Sequence, residues 1–253
     1  MNEIQQILDA AHSQTILVLG DLMLDEWIIG DASRISPEAP VPVVRLSERK
    51  IAPGGAANVA MNLLSLGAKV CVCGVVGDDD AGRDLIESLQ KSGADTAGIV
   101  RDASRPTTLK TRVLASRQQM LRVDRESDES FDQNVQAELD QVVRAAMKNC
   151  GVLCVSDYDK GMATCGVVVR AIDSARQQNK IVTAGPKPHN LECCARADFL
   201  SLNKKEASEA AGFQIKSDAD AARAGKLLRE KWALQSLAIT RGGNSVIDGH
   251  FAG

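Results

Sequence analysis

The stretch VLCVSDYDKGMATCGVVVRAIDSARQQNKIVTA, residues 152–184, decides how this chain folds. Val152–Ser156 is a short apolar run that reads as a strand, and Ile181–Ala184 is another. Between them, Gly166–Gln178 carries its apolar residues at helical spacing. A strand, a helix and a second strand in that order make a parallel pair, because parallel neighbours need a crossover rather than a tight turn.

The same order recurs in both directions. Upstream, Thr15–Leu19 is an apolar run ending at Gly20-Asp21, composed like a buried parallel strand. Lys69–Val76 reads as strand and Ala81–Ser92 as a helix with Leu85, Ile86 and Leu89 inward. Val135–Met147 is an amphipathic helix. Downstream come a strand at Phe199–Leu202, helices at Lys204–Ala211 and Ala219–Trp232, and a strand at Leu237–Thr240. A further helical stripe, Ile4, Ile7, Leu8 and Ala11, opens the chain, and Gly54-Gly55-Ala56-Ala57-Asn58 leads into a helix through Leu66. The pattern predicts an α/β fold: a doubly wound, mostly parallel sheet with helices on both faces. Two β-rich segments stand outside it. Asp31–Ser47 alternates at Val41, Val43 and Arg45, and Thr107–Ala115 with Gln119–Arg125 reads as a β pair. These predict a separate small sheet.

Composition narrows the function classes. The net charge of −3 and 3% aromatic content argue against a nucleic-acid binder, which needs a basic face and stacking platforms. No apolar stretch reaches the length of a membrane span, and the N-terminus has no signal-peptide pattern, so a cytoplasmic protein without membrane contact is expected. The seven cysteines show no Cys-x-x-Cys spacing, and His12, His189 and His250 are scattered; reduced, incidental thiols are expected rather than a metal centre. There is no P-loop, no Gly-x-Ser-x-Gly and no dinucleotide fingerprint after the first strand.

Several residues remain that could carry chemistry. Gly54 and Gly55 allow backbone to approach a ligand at a helix N-terminus, and Asn58 offers both a donor and an acceptor to a hydroxyl pair. Asp25, just past the first strand, is either a two-hydroxyl acceptor or a solvated loop acid. Alternation places Lys110 and Arg112 on one strand face, and Arg122 and Asp124 on another shared face. Such cations suit an anionic substrate, or form ordinary ion pairs. Asn203 caps the helix that continues through Lys204, Lys205 and Glu206, where a carboxylate could also meet hydrated Mg²⁺. Thr240-Arg241-Gly242-Gly243 is a turn that could line a phosphate channel.

The order of these landmarks resembles the ribokinase-like (PfkB) family of carbohydrate kinases, over essentially the whole chain. Arg34–Val43, the segment from Lys110 to Glu126 and Ser156-Asp157-Tyr158-Asp159-Lys160-Gly161 are similar to the heptose-7-phosphate kinase branch, which includes the kinase half of bifunctional heptose enzymes. The resemblance implies one kinase domain over residues 1–253, with a β lid from about 31–50 and 107–126. It implies ATP and Mg²⁺ as cofactors, a sugar phosphate as substrate, and a homodimer through the lid. Asp25, Gly54, Gly55 and Asn58 would bind sugar hydroxyls, with Lys110, Arg112 and Arg122 at the lid and the substrate phosphate. Lys187, Asn203, Lys204, Lys205, Glu206, Thr240 and Gly242 would line the nucleotide, with Glu206 near Mg²⁺.

Two departures accompany the resemblance. The family's Gly-Ala-Gly-Asp segment, which supplies the catalytic base, does not occur in these 253 residues, so no base is assigned and weak or absent turnover is expected. Ala184-Gly185-Pro186-Lys187 also stands where the family shows Asp-Pro-Lys. A non-catalytic sugar-phosphate-binding or dimerising remnant, and a kinase for another sugar or a nucleoside, are the alternatives.

Overall fold

Crossover helices order the strands as that central stretch predicts. A computed structural model describes residues 3–115, 118–127, 129–163, 166–242 and 244–249. The first third of the chain holds α1 (Glu3–Ser13), β1 (Thr15–Gly20), β2 (Leu22–Ile35), β3 (Pro42–Gly55), α2 (Ala56–Ser65) and β4 (Lys69–Gly77). The middle holds α3 (Asp80–Lys91), β5 (Asp95–Asp102), β6 (Thr108–Ala115), β7 (Gln118–Arg125), α4 (Gln133–Met147) and β8 (Val152–Ser156). There follow α5 (Val167–Gln177), β9 (Ile181–Gly185), a 3-10 helix (Pro188–Cys194), β10 (Phe199–Asn203), α6 (Lys204–Ala211), α7 (Asp218–Lys231), β11 (Ser236–Arg241) and β12 (Asn244–Gly249).

The main sheet has the order β12-β11-β10-β9-β8-β1-β4-β5, parallel except for β12. Strand alternation splits its side chains between two cores. Leu17, Leu19, Leu153, Val155, Val182, Leu200 and Leu202 pack against α4, α5, α6 and α7. Val18, Val70 and Val72 pack against α2 and α3. Each leucine buried this way contributes about 1.5–3 kcal/mol. Ala56, Ala57 and Ala60 of α2 are fully buried, and their small side chains let that helix lie close on the sheet. On the α2 side, Thr183 and Phe199 are half-buried and Ser201 is exposed, so that part of the face opens onto a cleft.

A second sheet, in the order β3-β2-β6-β7, stands apart. It begins at Leu22, earlier than the sequence pattern suggests, because β2 is held by β3 on one side and β6 on the other. Asp25 is therefore no loop acid: it lies inside β2. Three elements escaped the sequence reading: β5, an edge strand broken by a bulge opposite Cys71–Cys73, the 3-10 helix, and β12. Helix α1 is present, but the side chains of Ile4, Ile7 and Leu8 lie outside the described residues, as do Gly243 and residues 250–253. All six described cysteines are free thiols, while Cys165 lies outside the described residues. Burial pushes Cys71 and Cys73 up to about 12, which keeps them protonated and unreactive.

Candidate active site

Parallel strands all end at one sheet edge, and the crevice beyond their carboxyl ends is where open α/β sheets bind ligands. Here that edge carries Asp21, Asp157, Lys187, Asn203 and Thr240. The second sheet continues from it, since β2 starts two residues after β1 ends.

Register decides what the small sheet presents. Asp25 lies opposite Ala52 on one side and Lys110 on the other, and Lys110 lies opposite Asp124. In the next row Lys50, Trp27, Arg112 and Arg122 are consecutive partners. Directly opposed residues share a face. Asp25, Lys110, Arg112, Arg122 and Asp124 therefore share one face, which corrects the assignment of the two strands' charges to separate faces. Alternation within a strand could not reveal this, because the pairing of β6 with β7 sets it.

The charges are tightly interlocked. Arg112 Nη1 donates to Asp25 Oδ1 at 2.6 Å, and its guanidinium lies 5.3 Å from the Trp27 ring centroid. Arg122 donates twice to Asp124, at 2.8 and 2.9 Å, and holds that carboxyl below its ordinary range, helped by Lys110. Lys110 Nζ reaches both Asp124 and Glu126 at 3.2 Å. Lys160, from the loop after β8, meets Glu126 at 2.8 Å and ties the end of the small sheet to the main domain. That bond, with Lys110, keeps the Glu126 carboxyl below its usual value.

Glycine shapes the same corner. A Cβ on Gly54 would come 2.6 Å from Asp25 Oδ2, so the carboxylate sits over a bare backbone. Gly55 has φ +57°, a left-handed conformation, at the turn into α2. Asn58 lies in the first turn of α2, exposed.

Of the nucleotide candidates, Lys187, Asn203 and Glu206 line a cleft of about 550 Å³ together with Ser156, Asp157, Tyr158, Gly185, Thr183, Phe199 and Ser201, while Thr240 and Gly242 lie outside its lining. Lys187 Nζ meets Glu206 Oε1 at 2.9 Å and lies 5.5 Å from the Tyr158 ring centroid. Burial alone would lower the Lys187 ammonium, but Glu206 outweighs it and the net shift is upward. Asn203 and Glu206 form a reciprocal capping box on α6, each bond 2.9 Å. Both Glu206 oxygens thus have protein partners, which suits contact with Mg²⁺ through a water rather than direct ligation. Among the described residues no group of three or more His, Cys, Asp or Glu side chains is placed to hold a metal. Thr240 lies directly opposite Asn203 across β10 and β11, and Gly242 takes φ +68° in the following turn. Lys204 and Lys205 are exposed on α6 and do not line the cleft.

Two buried acids organise this edge; the sequence reading met them only within stretches that carry the family resemblance and gave them no role. Asp21, 3% exposed, accepts from the backbone N–H groups of Tyr158, Lys160 and Met162 at 2.7, 3.2 and 3.1 Å. Burial raises its pKa despite those bonds. Asp157, also 3% exposed, accepts from Lys187 N at 2.8 Å and Asn190 Nδ2 at 3.0 Å. The available signal was an acid at the carboxyl end of a predicted buried strand, a position where only a hydrogen-bonded carboxylate is tolerated.

The pfkB family carbohydrate kinase model matches residues 13–247, and the chain belongs to that family. It is 40% identical to bifunctional protein HldE of Wolinella succinogenes over 234 residues, 92% of this chain and 49% of the relative. It is 43% identical to bifunctional protein HldE of Geobacter sulfurreducens, over 91% of this chain and 48% of that one. The chain therefore spans about half the length of the relatives it matches. Its fold is similar to phosphofructokinase-2 from Escherichia coli in a tetrameric inhibited form (TM-score 0.73, 17% identity, 94% of this chain, 76% of that one). It is also similar to a putative ribokinase from Agrobacterium tumefaciens (TM-score 0.69, 18% identity, 93% and 73%).

Proposed function

We propose that this domain binds a heptose 7-phosphate beneath its lid and ATP in the cleft, for transfer of the γ-phosphoryl group to the anomeric hydroxyl. The observation that carries this reading is the lid face, where Asp25 shares rows with Lys110, Arg112 and Arg122 beside the Gly54-Gly55 turn. A carboxylate over bare backbone is suited to accept two hydroxyls, and the neighbouring cations are suited to a phosphate. The similarity to HldE proteins supports the same reading.

Phosphoryl transfer depends mainly on positioning and charge neutralisation. Asp25 would orient the acceptor sugar, while Lys187, turned from Glu206, would meet a nucleotide phosphate. Mg²⁺, when bound, would neutralise charge on the phosphates, with Glu206 touching its water shell. The Lys160–Glu126 bond would help draw the lid onto the main domain and exclude water. ATP as donor fits a cytoplasmic location, and among the described residues no helix is long and apolar enough to cross a membrane. Pairing of two copies through the lid belongs to the same reading, supported by Leu121 and Val123, about half exposed on β7.

Calorimetric titration with heptose 7-phosphate, ribose and fructose 6-phosphate tests the substrate directly. Selective binding of the heptose phosphate is expected. A folded chain that prefers either competitor would replace this reading with a kinase for another sugar, and one that binds none would end it.

A further inference from the structure

The candidate hydroxyl acceptor and a candidate phosphate ligand are bonded to each other. Arg112 Nη1 lies 2.6 Å from Asp25 Oδ1, and both side chains are about three-quarters buried. The other lid cations are held differently: Arg122 bonds Asp124, and Lys110 bonds Asp124 and Glu126. Among the described residues, Arg112 is the cation that pairs with Asp25, and it does so through a single nitrogen.

This pairing has a chemical consequence. The Asp25 oxygen that Arg112 holds is a poorer acceptor for a neutral hydroxyl, because a hydroxyl at Oδ1 must compete with a charge-assisted bond worth more than its own, so that only Oδ2, over Gly54, is open to the sugar at full strength. A phosphate is a stronger, bidentate partner for the same guanidinium. We propose that Arg112 is a specificity-determining residue that masks Asp25 until an anionic group on the substrate draws it away. The sugar's own phosphate then opens the hydroxyl site, and unphosphorylated sugars of the same stereochemistry are refused. This rests on the reading of Asp25 as the hydroxyl acceptor. The selection costs no extra pocket: it uses the cross-strand neighbourhood of Asp25, Trp27 and Arg112, and Trp27 provides a face along which the guanidinium can slide.

Calorimetry on the whole chain tests it, with heptose 7-phosphate, the unphosphorylated heptose, and that heptose in the presence of inorganic phosphate. The wild-type protein should bind the phosphorylated sugar and refuse the plain one, and inorganic phosphate should raise its affinity for the plain sugar about tenfold, a typical coupling between linked sites. Arg112→Ala should weaken the phosphorylated sugar while strengthening the plain one about tenfold, and should abolish the phosphate effect. Arg112→Gln, which keeps a polar side chain of related shape, should do the same and serves if the alanine variant does not fold. A plain-sugar affinity that ignores phosphate in the wild type, or that falls in both variants, would overturn the inference while leaving the kinase reading intact. Failure of the folded wild type to bind even the phosphorylated sugar would sink both.

Discussion

Gly54 and Gly55 are adjacent and both precede α2, yet they do different work. A Cβ at Gly54 would press on Asp25 Oδ2, the movable end of a side chain, at 2.6 Å. A Cβ at Gly55 would meet the backbone oxygen of Asp21 at 2.5 Å in a left-handed conformation that alanine resists. Gly54→Ala is therefore expected to weaken sugar-phosphate binding about tenfold, or ~1.4 kcal/mol, with a small change in melting temperature. Gly55→Ala is expected to lower stability by about 1–3 kcal/mol. Thermal melts run beside titrations separate the two, and equal effects in both variants would refute the distinction. The glycine pair was legible as a turn ahead of a helix. The task of Gly54 was not, because the carboxylate it makes room for lies across the β2–β3 pair.

At the scale of elements, the small sheet is joined to the main domain by two ion pairs at the carboxyl end of β7. Asp79 caps α3 through Gly82 N at 2.9 Å, accepts from Thr107 Oγ1 at 2.7 Å, and pairs with Arg125 of β7 at 3.0 Å. Lys160 holds Glu126 just beyond the end of that strand. The Glu126 pKa is lowered from 4.5, chiefly by Lys160, so its contribution is fully present above about pH 4.5 and is lost as pH falls through the lower folded value. Glu126→Gln should lower the melting temperature by about 2–4 °C at pH 6, taking the pair as worth about 1 kcal/mol. The gap from wild type should close near pH 3, and a gap of constant size would argue against the ion pair. Strands of the main sheet were legible because burial on both faces makes them apolar runs. Strand β2 was hidden because its Asp25 and Glu26 break the apolar pattern. Those acids are tolerated in a strand only because Arg112, Arg49 and Thr111 satisfy them.

For the whole molecule, the edge strand β7 is the surface on which assembly turns. Every residue of it is exposed, and Leu121 and Val123 are 50% and 53% accessible on the side away from the Asp25 row. Unpaired edges carrying apolar side chains are ready templates for pairing with another chain. Sedimentation is expected to show a dimer that Leu121→Lys converts to monomers, with sugar-phosphate binding measured alongside. A wild-type protein that sediments as a monomer at tens of micromolar would remove the lid-mediated dimer.

Taken alone, the sequence determined the class of architecture, because apolar runs and helical stripes are local patterns set by which faces must be buried. It also determined the family, because the order and spacing of the Gly-Asp, Gly-Gly-x-x-Asn, Asn-x-x-Glu and Thr-x-Gly landmarks survive in one dimension. Tertiary structure alone decided which charges meet. Strand register, set by cross-strand hydrogen bonds between residues far apart in the chain, put Arg112 against Asp25 and gathered both strands' cations on one face. Burial likewise decided that Asp21 and Asp157, ordinary acids in the sequence, are the points from which the site's loops hang, because a carboxylate out of water persists only where several N–H groups converge on it.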